Sequence, residues 1–273
     1  MAEDFTRLDS HGYTSTIYRL PGDPPRICKS FNEDCRETLF PVEKAAYERF
    51  AAHGHPASIP MYYGTHESIP AGIILKFAEN KDVNDYLWQQ KHLHNALPDD
   101  EVLYRWAGQA AEALEFAHSI GVCNADIHCV NLFLDHDLNL KVGDWAGASI
   151  DGSRSRSSYR LRHRLFNADG TDVARAQGIT IATEIFALGT ALYYMVTGHD
   201  PWPDLREPED REQIKQRIID GDFPNTAQLR VLGSVIDKCW HVRFGSMNEV
   251  KNAIDSERDS HYATNNTIAK PNI

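Results

Sequence analysis

The chain lacks any apolar run approaching the roughly 20 residues that a membrane-spanning helix needs. Its opening stretch, MAEDFTRLDS, is acidic and polar, unlike the basic and then apolar start of a secretory signal. Both absences point to an intracellular, cytoplasmic protein without a membrane partner. Cysteine is scarce too: Cys28, Cys35, Cys123, Cys129 and Cys239 are odd in number and form no C-x-x-C pair. That excludes a disulfide framework and a ribbon-type zinc site, and leaves reduced packing thiols. Cations are outnumbered, 28 Lys and Arg against 39 Asp and Glu, for a net charge of −11. A general polyanion-binding surface, and with it a nucleic-acid partner, is therefore not expected. No internal repeat is present.

Apolar material is plentiful: 42% of the 273 residues are hydrophobic, enough for the core of one large domain or two lobes. Residues 14–20 and 25–31 read as strands around the turn Pro21-Gly22-Asp23-Pro24, and 40–54 as a helix closed by Gly54 with Pro56 beyond. Residues 71–77, AGIILKF, form an apolar strand, after which the polar AENKDVNDYL marks a hinge. From there the pattern is mainly helical, at 103–120, 184–198, 211–221 and 229–240. The expected division is a β-rich part with one helix over residues 1–80, a helical part over 81–256, and an unstructured tail over 257–273, where apolar periodicity is missing.

Two short stretches carry chemistry. NADIHCVN (124–131) and VGDWAGAS (142–149) hold Asp126, Asn131 and Asp144. The helix at 103–120, with Leu103, Trp106, Ala110, Leu114 and Ala117 at helical spacing, feeds into the first, and a hairpin of residues 132–134 and 138–143 leads to the second. A carboxylate aligning an attacking hydroxyl, then an amide and a second carboxylate as hard oxygen donors for Mg²⁺, is the minimum apparatus for phosphoryl transfer. Taken singly, each piece also fits a loop-capping role. The helix EIFALGTALYYMVTG (184–198) is apolar nearly all round and calls for burial at the centre of a helical body. A globin-like bundle would accept it too; the turn at Gly198 and the PWPD that follows are more discriminating.

From residue 8 to 254 this succession resembles the protein kinase domain, in a divergent form similar to a kinase-like expansion common in fungi. The resemblance implies an α+β, two-lobed protein kinase-like fold, with a small β-rich N-lobe carrying one helix and a larger, mainly α-helical C-lobe. It also implies ATP and Mg²⁺ as cofactors and a protein substrate with a hydroxyl acceptor. Residue by residue, Lys29 of RICKSF matches the strand lysine that holds the α- and β-phosphates, and Glu43 the helix residue paired with it. Asp126 matches the catalytic-loop aspartate, and Asn131 and Asp144 the two Mg²⁺ ligands. Leu75 stands where a residue guards the adenine pocket, with backbone groups of Lys76 and Ala78 at the adenine edge. Gly12 is what remains of a nucleotide-covering loop that usually carries three glycines.

The departures from the family pattern are specific. Asn124 and Ala125 precede Asp126 where the family has His and Arg, which removes the usual partner of an activation-loop phosphate. His128 stands where a lysine touches the transferring phosphate. Losing one such donor costs on the order of 10² to 10³ in rate, although phosphates favour a protonated histidine that partly replaces it. Slow catalysis is the expectation. Trp145-Ala146 replace Phe-Gly after Asp144, with Gly147 displaced by one, and Trp145 is expected to pack under the helix bearing Glu43. Glu184 stands where an aspartate anchors the catalytic-loop backbone.

Residues 153–164, SRSRSSYRLRHR, concentrate Arg154, Arg156, Arg160, Arg162 and Arg164 among serines and Tyr159. The plain reading is a solvated mobile loop. The sharper one is an activation segment that recognises an acidic substrate or clamps a phosphorylated Ser157, Ser158 or Tyr159. Three function classes follow: a slow or atypical protein serine/threonine kinase, a small-molecule kinase of aminoglycoside or choline type, and a pseudokinase that binds nucleotide without turnover. The phrases D-I-H-x-x-N and GDW suit the second class as well; EIFALGTALYYMVTGHDPW favours the first.

Overall fold

Five strands rich in β-branched and aromatic residues open the chain: β1 (Thr6–Leu8), β2 (Ser15–Leu20), β3 (Arg26–Phe31), β4 (Tyr62–Thr65) and β5 (Gly72–Lys76). They form one antiparallel sheet in the order β1-β2-β3-β5-β4. In its register Lys29 lies opposite Ile17 on one side and Ile73 on the other, in the middle of the sheet. The computed structural model describes residues 5–8 and 12–268 of the chain. Two helices interrupt the strands, a single turn α1 (Glu33–Arg36) and α2 (Phe40–Ala52). A proline in its first turn suits the start of α2. The helix buries Glu43, Ala46, Tyr47 and Phe50, one face at helical spacing.

Past Lys76 the chain turns helical. α3 (Val83–Gln89) is capped by Asp82, whose carboxylate accepts the Asp85 N–H, and runs on into a π-helical turn, Gln90–His94. α4 (Asp100–Ser119) follows, then the short strands β6 (Val122–Cys123), β7 (Leu132–Leu134), β8 (Leu140–Val142) and β9 (Ser149–Ile150). β6 pairs with β9 and β7 with β8, both antiparallel, so the loops between them are held close together. The remainder comprises α5 (Val173–Gln177), α6 (Ile181–Thr197), α7 (Arg211–Asp220), α8 (Gly233–Trp240) and α9 (Met247–Ile268).

α6 is the axis of this helical body. A reciprocal cap between Thr180 and Thr183 starts it, and Gly198, at φ 70°, ends it in a left-handed conformation that a side chain would strain. Between those ends it is buried nearly all round, as its composition requires. The whole is an α+β fold of two lobes, a small antiparallel sheet with α2 and a larger helical lobe, joined between Lys76 and Val83. Among the described residues no helix is long and apolar enough to cross a membrane.

Two expectations need correction. The tail anticipated over 257–273 is helical as far as Ile268, and residues 269–273 lie outside the described residues, as do 1–4 and 9–11. Its attachment is aromatic and polar rather than periodic: the His261 and Tyr262 rings lie 5.7 and 6.3 Å from that of Tyr104 on α4, and Tyr104 donates to Glu257 at 3.4 Å. Hydrophobic periodicity cannot register such contacts. The basic stretch 154–164 is likewise no free loop, because Tyr159, Leu161 and His163 are buried and the last two sit in a 3₁₀ turn.

Candidate active site

A lysine in the middle of a sheet is costly to bury unless it is paired. Lys29 is 7% exposed, and its Nζ lies 2.7 Å from Glu43 Oε2 on α2 and 2.8 Å from Asp144 Oδ1 after β8. Burial by itself would lower the Lys29 pKa, but the Asp144 and Glu43 carboxylates more than offset it and hold it above its ordinary value. Burial pushes the Glu43 carboxyl upward against the pull of Lys29, whereas in Asp144 the ammonium overcomes burial and lowers the pKa. One ammonium facing two carboxylates leaves net negative charge at this point.

Asp126, His128 and Asn131 form a second set. Asn131 donates from Nδ2 to the Asp126 carbonyl at 2.9 Å and to Asp126 Oδ2 at 3.3 Å, and lies 3.2 Å from His128 Nε2. The same His128 nitrogen stands 3.3 Å from Asp126 Oδ1. His128 is only 5% exposed, so its ring acts on the site through these two neighbours. Backbone joins the sets: Gly143 N–H donates to the Asn131 carbonyl at 3.0 Å, next to Asp144. Asn124 adds a bridge that the sequence did not reveal, donating to the Asp144 and Gly143 carbonyls at 3.3 and 3.4 Å while its Oδ1 accepts the Asp126 N–H at 3.0 Å. An asparagine two residues ahead of an aspartate is the signal that could have found it, since asparagine bonds backbone two residues on.

Ala125 and Asp144 both have positive φ, 71° and 50°, a conformation that non-glycine residues keep only when surroundings enforce it. Glu184, fully buried on α6, enforces the first. Its Oε1 accepts the Ala125 N–H at 2.8 Å and the Tyr159 hydroxyl at 2.9 Å, and its Oε2 accepts the Asn124 N–H at 2.9 Å and faces His118 Nε2 at 3.0 Å. Tyr159, read as a phosphorylation candidate, is 1% exposed with its hydroxyl committed here, so that expectation is withdrawn. Trp145 packs as expected: its N–H donates to Glu43 Oε1 at 3.2 Å, its indole to the Val142 carbonyl at 3.1 Å, and its ring lies edge-on to Phe50 at 4.8 Å. Gly147 allows Ser157 to cross directly above it, where a Cβ would overlap that side chain.

Leu75 is buried at the end of β5. Lys76 N–H is spent on the Met61 carbonyl at 2.8 Å, and Ala78 N–H has no hydrogen-bond partner among the described residues, which leaves a donor at the junction of the lobes. Gly12 meets only Ser15, at ordinary contact distances of 3.6 and 3.7 Å from an added Cβ, so nothing there demands glycine.

The donor set fits Mg²⁺. With its Nδ2 engaged, Asn131 keeps an amide oxygen, and Asp144 keeps a second carboxylate oxygen beside the one that holds Lys29. Both are hard donors of the kind this ion takes.

A family model described as the protein kinase domain matches residues 27–259. The chain belongs to the protein kinase domain family. Among curated proteins it is similar to serine/threonine-protein kinase PDK1 of Cryptococcus neoformans var. grubii, 28% identical over 77% of this chain and 17% of that protein. It is also similar to serine/threonine-protein kinase PKH3 of Saccharomyces cerevisiae, 25% identical over 78% of this chain and 26% of that one. Serine/threonine-protein kinase PLK4 of Xenopus laevis is 23% identical over 78% of this chain and 24% of its own length. The chain thus spans a quarter or less of most of these relatives. Within this kinase domain, Glu184 and Asn124 do jobs at the catalytic loop with side chains that depart from the family pattern.

Proposed function

We propose that this kinase domain transfers the γ-phosphate of ATP to a serine or threonine hydroxyl of a protein, at a slow rate. One observation carries the reading: Lys29, Glu43 and Asp144 meet in a single ion cluster, and Asp126 with Asn131 is hydrogen-bonded into the loop beside it. The relatives' description as serine/threonine-protein kinases supports the acceptor class.

Lys29, oriented by Glu43, binds the nucleotide phosphates. Leu75 borders the adenine, and the Lys76 carbonyl and Ala78 N–H meet its edge; Gly12 lies in the loop above. Asn131 and Asp144 would hold Mg²⁺, which when bound neutralises phosphate charge. Asp126 accepts a hydrogen bond from the acceptor hydroxyl and takes its proton as that oxygen bonds to the γ-phosphorus and the β–γ bridging P–O bond breaks, releasing ADP. His128 holds the Asp126 carboxylate at 3.3 Å and supplies no ammonium to the phosphate, which is why the rate is slow.

The test is phosphate transfer from labelled Mg²⁺ATP to the protein itself, to generic protein acceptors and to small alcohols. Transfer to serine or threonine that falls at least about 10³-fold in Asp126→Asn supports the reading. No transfer from either protein identifies a domain that binds without turnover, and transfer to alcohols alone identifies a small-molecule kinase.

A further inference from the structure

The arginines of residues 154–164 divide into two groups. Arg162 is internal: its Nε donates to the Pro201 carbonyl at 2.9 Å, Nη2 to the Leu205 carbonyl at 2.6 Å and Nη1 to Glu207 at 3.3 Å. Arg164 is committed as well, to the Tyr159 carbonyl at 2.6 Å, Ser158 Oγ at 3.4 Å and Asp172 at 3.7 Å. Arg154, Arg156 and Arg160 are exposed, and none has a carboxylate partner among the described residues. Several other arginines, Arg19, Arg36, Arg105, Arg175 and Arg206 among them, likewise show no ion pair among the described residues, so what sets these three apart is that they share one short stretch, 154–160. Arg49, Arg211, Arg217, Arg230, Arg243 and Arg258 each find an acidic neighbour within 4 Å.

Of the three, Arg160 is also well placed. Arg160 lines a cavity of about 240 Å³ together with His128, Val130, Asn84, Tyr194 and Asp200, and His128 is the residue touching Asp126. Two carboxylates reach this space without cancelling Arg160. Glu207 is held between Arg162 and Arg211, at 3.3 and 3.5 Å. Asp200 makes no ion pair with Arg160 among the described residues, and burial raises its pKa against the pull of Arg162 and Arg160. The backbone that carries the arginines is fixed by the Tyr159–Glu184 bond and by Ser155, whose Oγ accepts the Ser157 N–H at 3.0 Å. The arginines therefore project from a held backbone rather than from a free loop.

We propose that Arg160, with Arg154 and Arg156, is the specificity face of the site, and that it selects acceptor hydroxyls set among aspartates and glutamates. This deepens the phosphotransfer reading and rests on it. Charge-assisted bonds from guanidinium to carboxylate give both affinity and orientation to such a segment, and repel a basic one.

The experiment uses two peptides with the same serine acceptor, one flanked by Asp and Glu and the other by Ala at those positions. The wild type should favour the acidic peptide about tenfold or more in kcat/KM, the equivalent of one charged hydrogen bond. A variant carrying Arg154→Glu, Arg156→Glu and Arg160→Glu should lose that preference, read as the ratio of kcat/KM for the two peptides in the same protein. Fluorescence anisotropy of the labelled acidic peptide, at low and high salt, reads the same face without turnover. Binding should be lost in the variant and weakened by salt. Equal use of the two peptides, or equal binding of them by wild type, overturns the proposal. Salt-sensitive acidic-peptide binding without any phosphate transfer would instead overturn the phosphotransfer reading and leave the face standing.

Discussion

Lys29 Nζ lies 2.7 Å from Glu43 Oε2, and this contact ties the central strand of the small sheet to α2 while Asp144 Oδ1 shares the same ammonium at 2.8 Å. Lys29→Met would leave a fully buried glutamate facing a second carboxylate with no cation between them. We expect it to lower unfolding free energy by about 3 kcal/mol, the scale for breaking a buried ion pair from one side. Urea denaturation followed by circular dichroism checks this. An unchanged midpoint would mean that the cluster contributes nothing to the fold.

The Tyr159 hydroxyl bonds a carboxylate that also holds the loop bearing Asp126. Tyr159→Phe removes one charge-assisted bond and leaves the ring packed, so a loss of about 1.5 to 3 kcal/mol is expected in the same denaturation assay. Transfer to peptide should fall as well, in kcat because the loop bearing Asp126 is loosened and in KM because the same bond fixes the backbone of the neighbouring Arg160.

His163 gives a pH signature. Burial, reinforced by the neighbouring Arg160 and Arg162 guanidiniums, holds its pKa well below the ordinary 6.5. Below 6.5 the unfolded chain therefore binds a proton that the folded chain refuses, and stability falls as pH falls. By about pH 5.5 the loss from this group is about 1.4 kcal/mol. Comparing wild type with His163→Gln at about pH 7.5 and 5.5 isolates it from other groups: the variant should lack this component, and an identical pH dependence would contradict the assignment.

Much of the fold and part of the site could be read from the chain itself. The strands around Lys29 and the apolar helix at α6 announce themselves by composition and spacing, and the Asp126, Asn131 and Asp144 arrangement by its order. Contacts made by polar or aromatic groups across long sequence separations do not. Glu184 holding Tyr159, Asn124 bridging to Asp144, and Tyr104 holding the end of α9 leave no periodic trace. The arginines of 154–164 look alike as sequence, and only packing separates Arg162 and Arg164, which are consumed internally, from Arg160.

The central claim is that Lys29, Asn131 and Asp144 serve one magnesium-bound nucleotide, and thermal unfolding with ATP, with and without Mg²⁺, tests it most directly. Ligand that binds the folded state stabilises it by mass action, by about 2.7 kcal/mol at a hundredfold excess over Kd. The account predicts a rise in Tm with ATP that is larger with Mg²⁺ and that loses its metal-dependent part in Asp144→Ala. No shift with either, or an Asp144→Ala protein that responds to Mg²⁺ATP as wild type does, would contradict it.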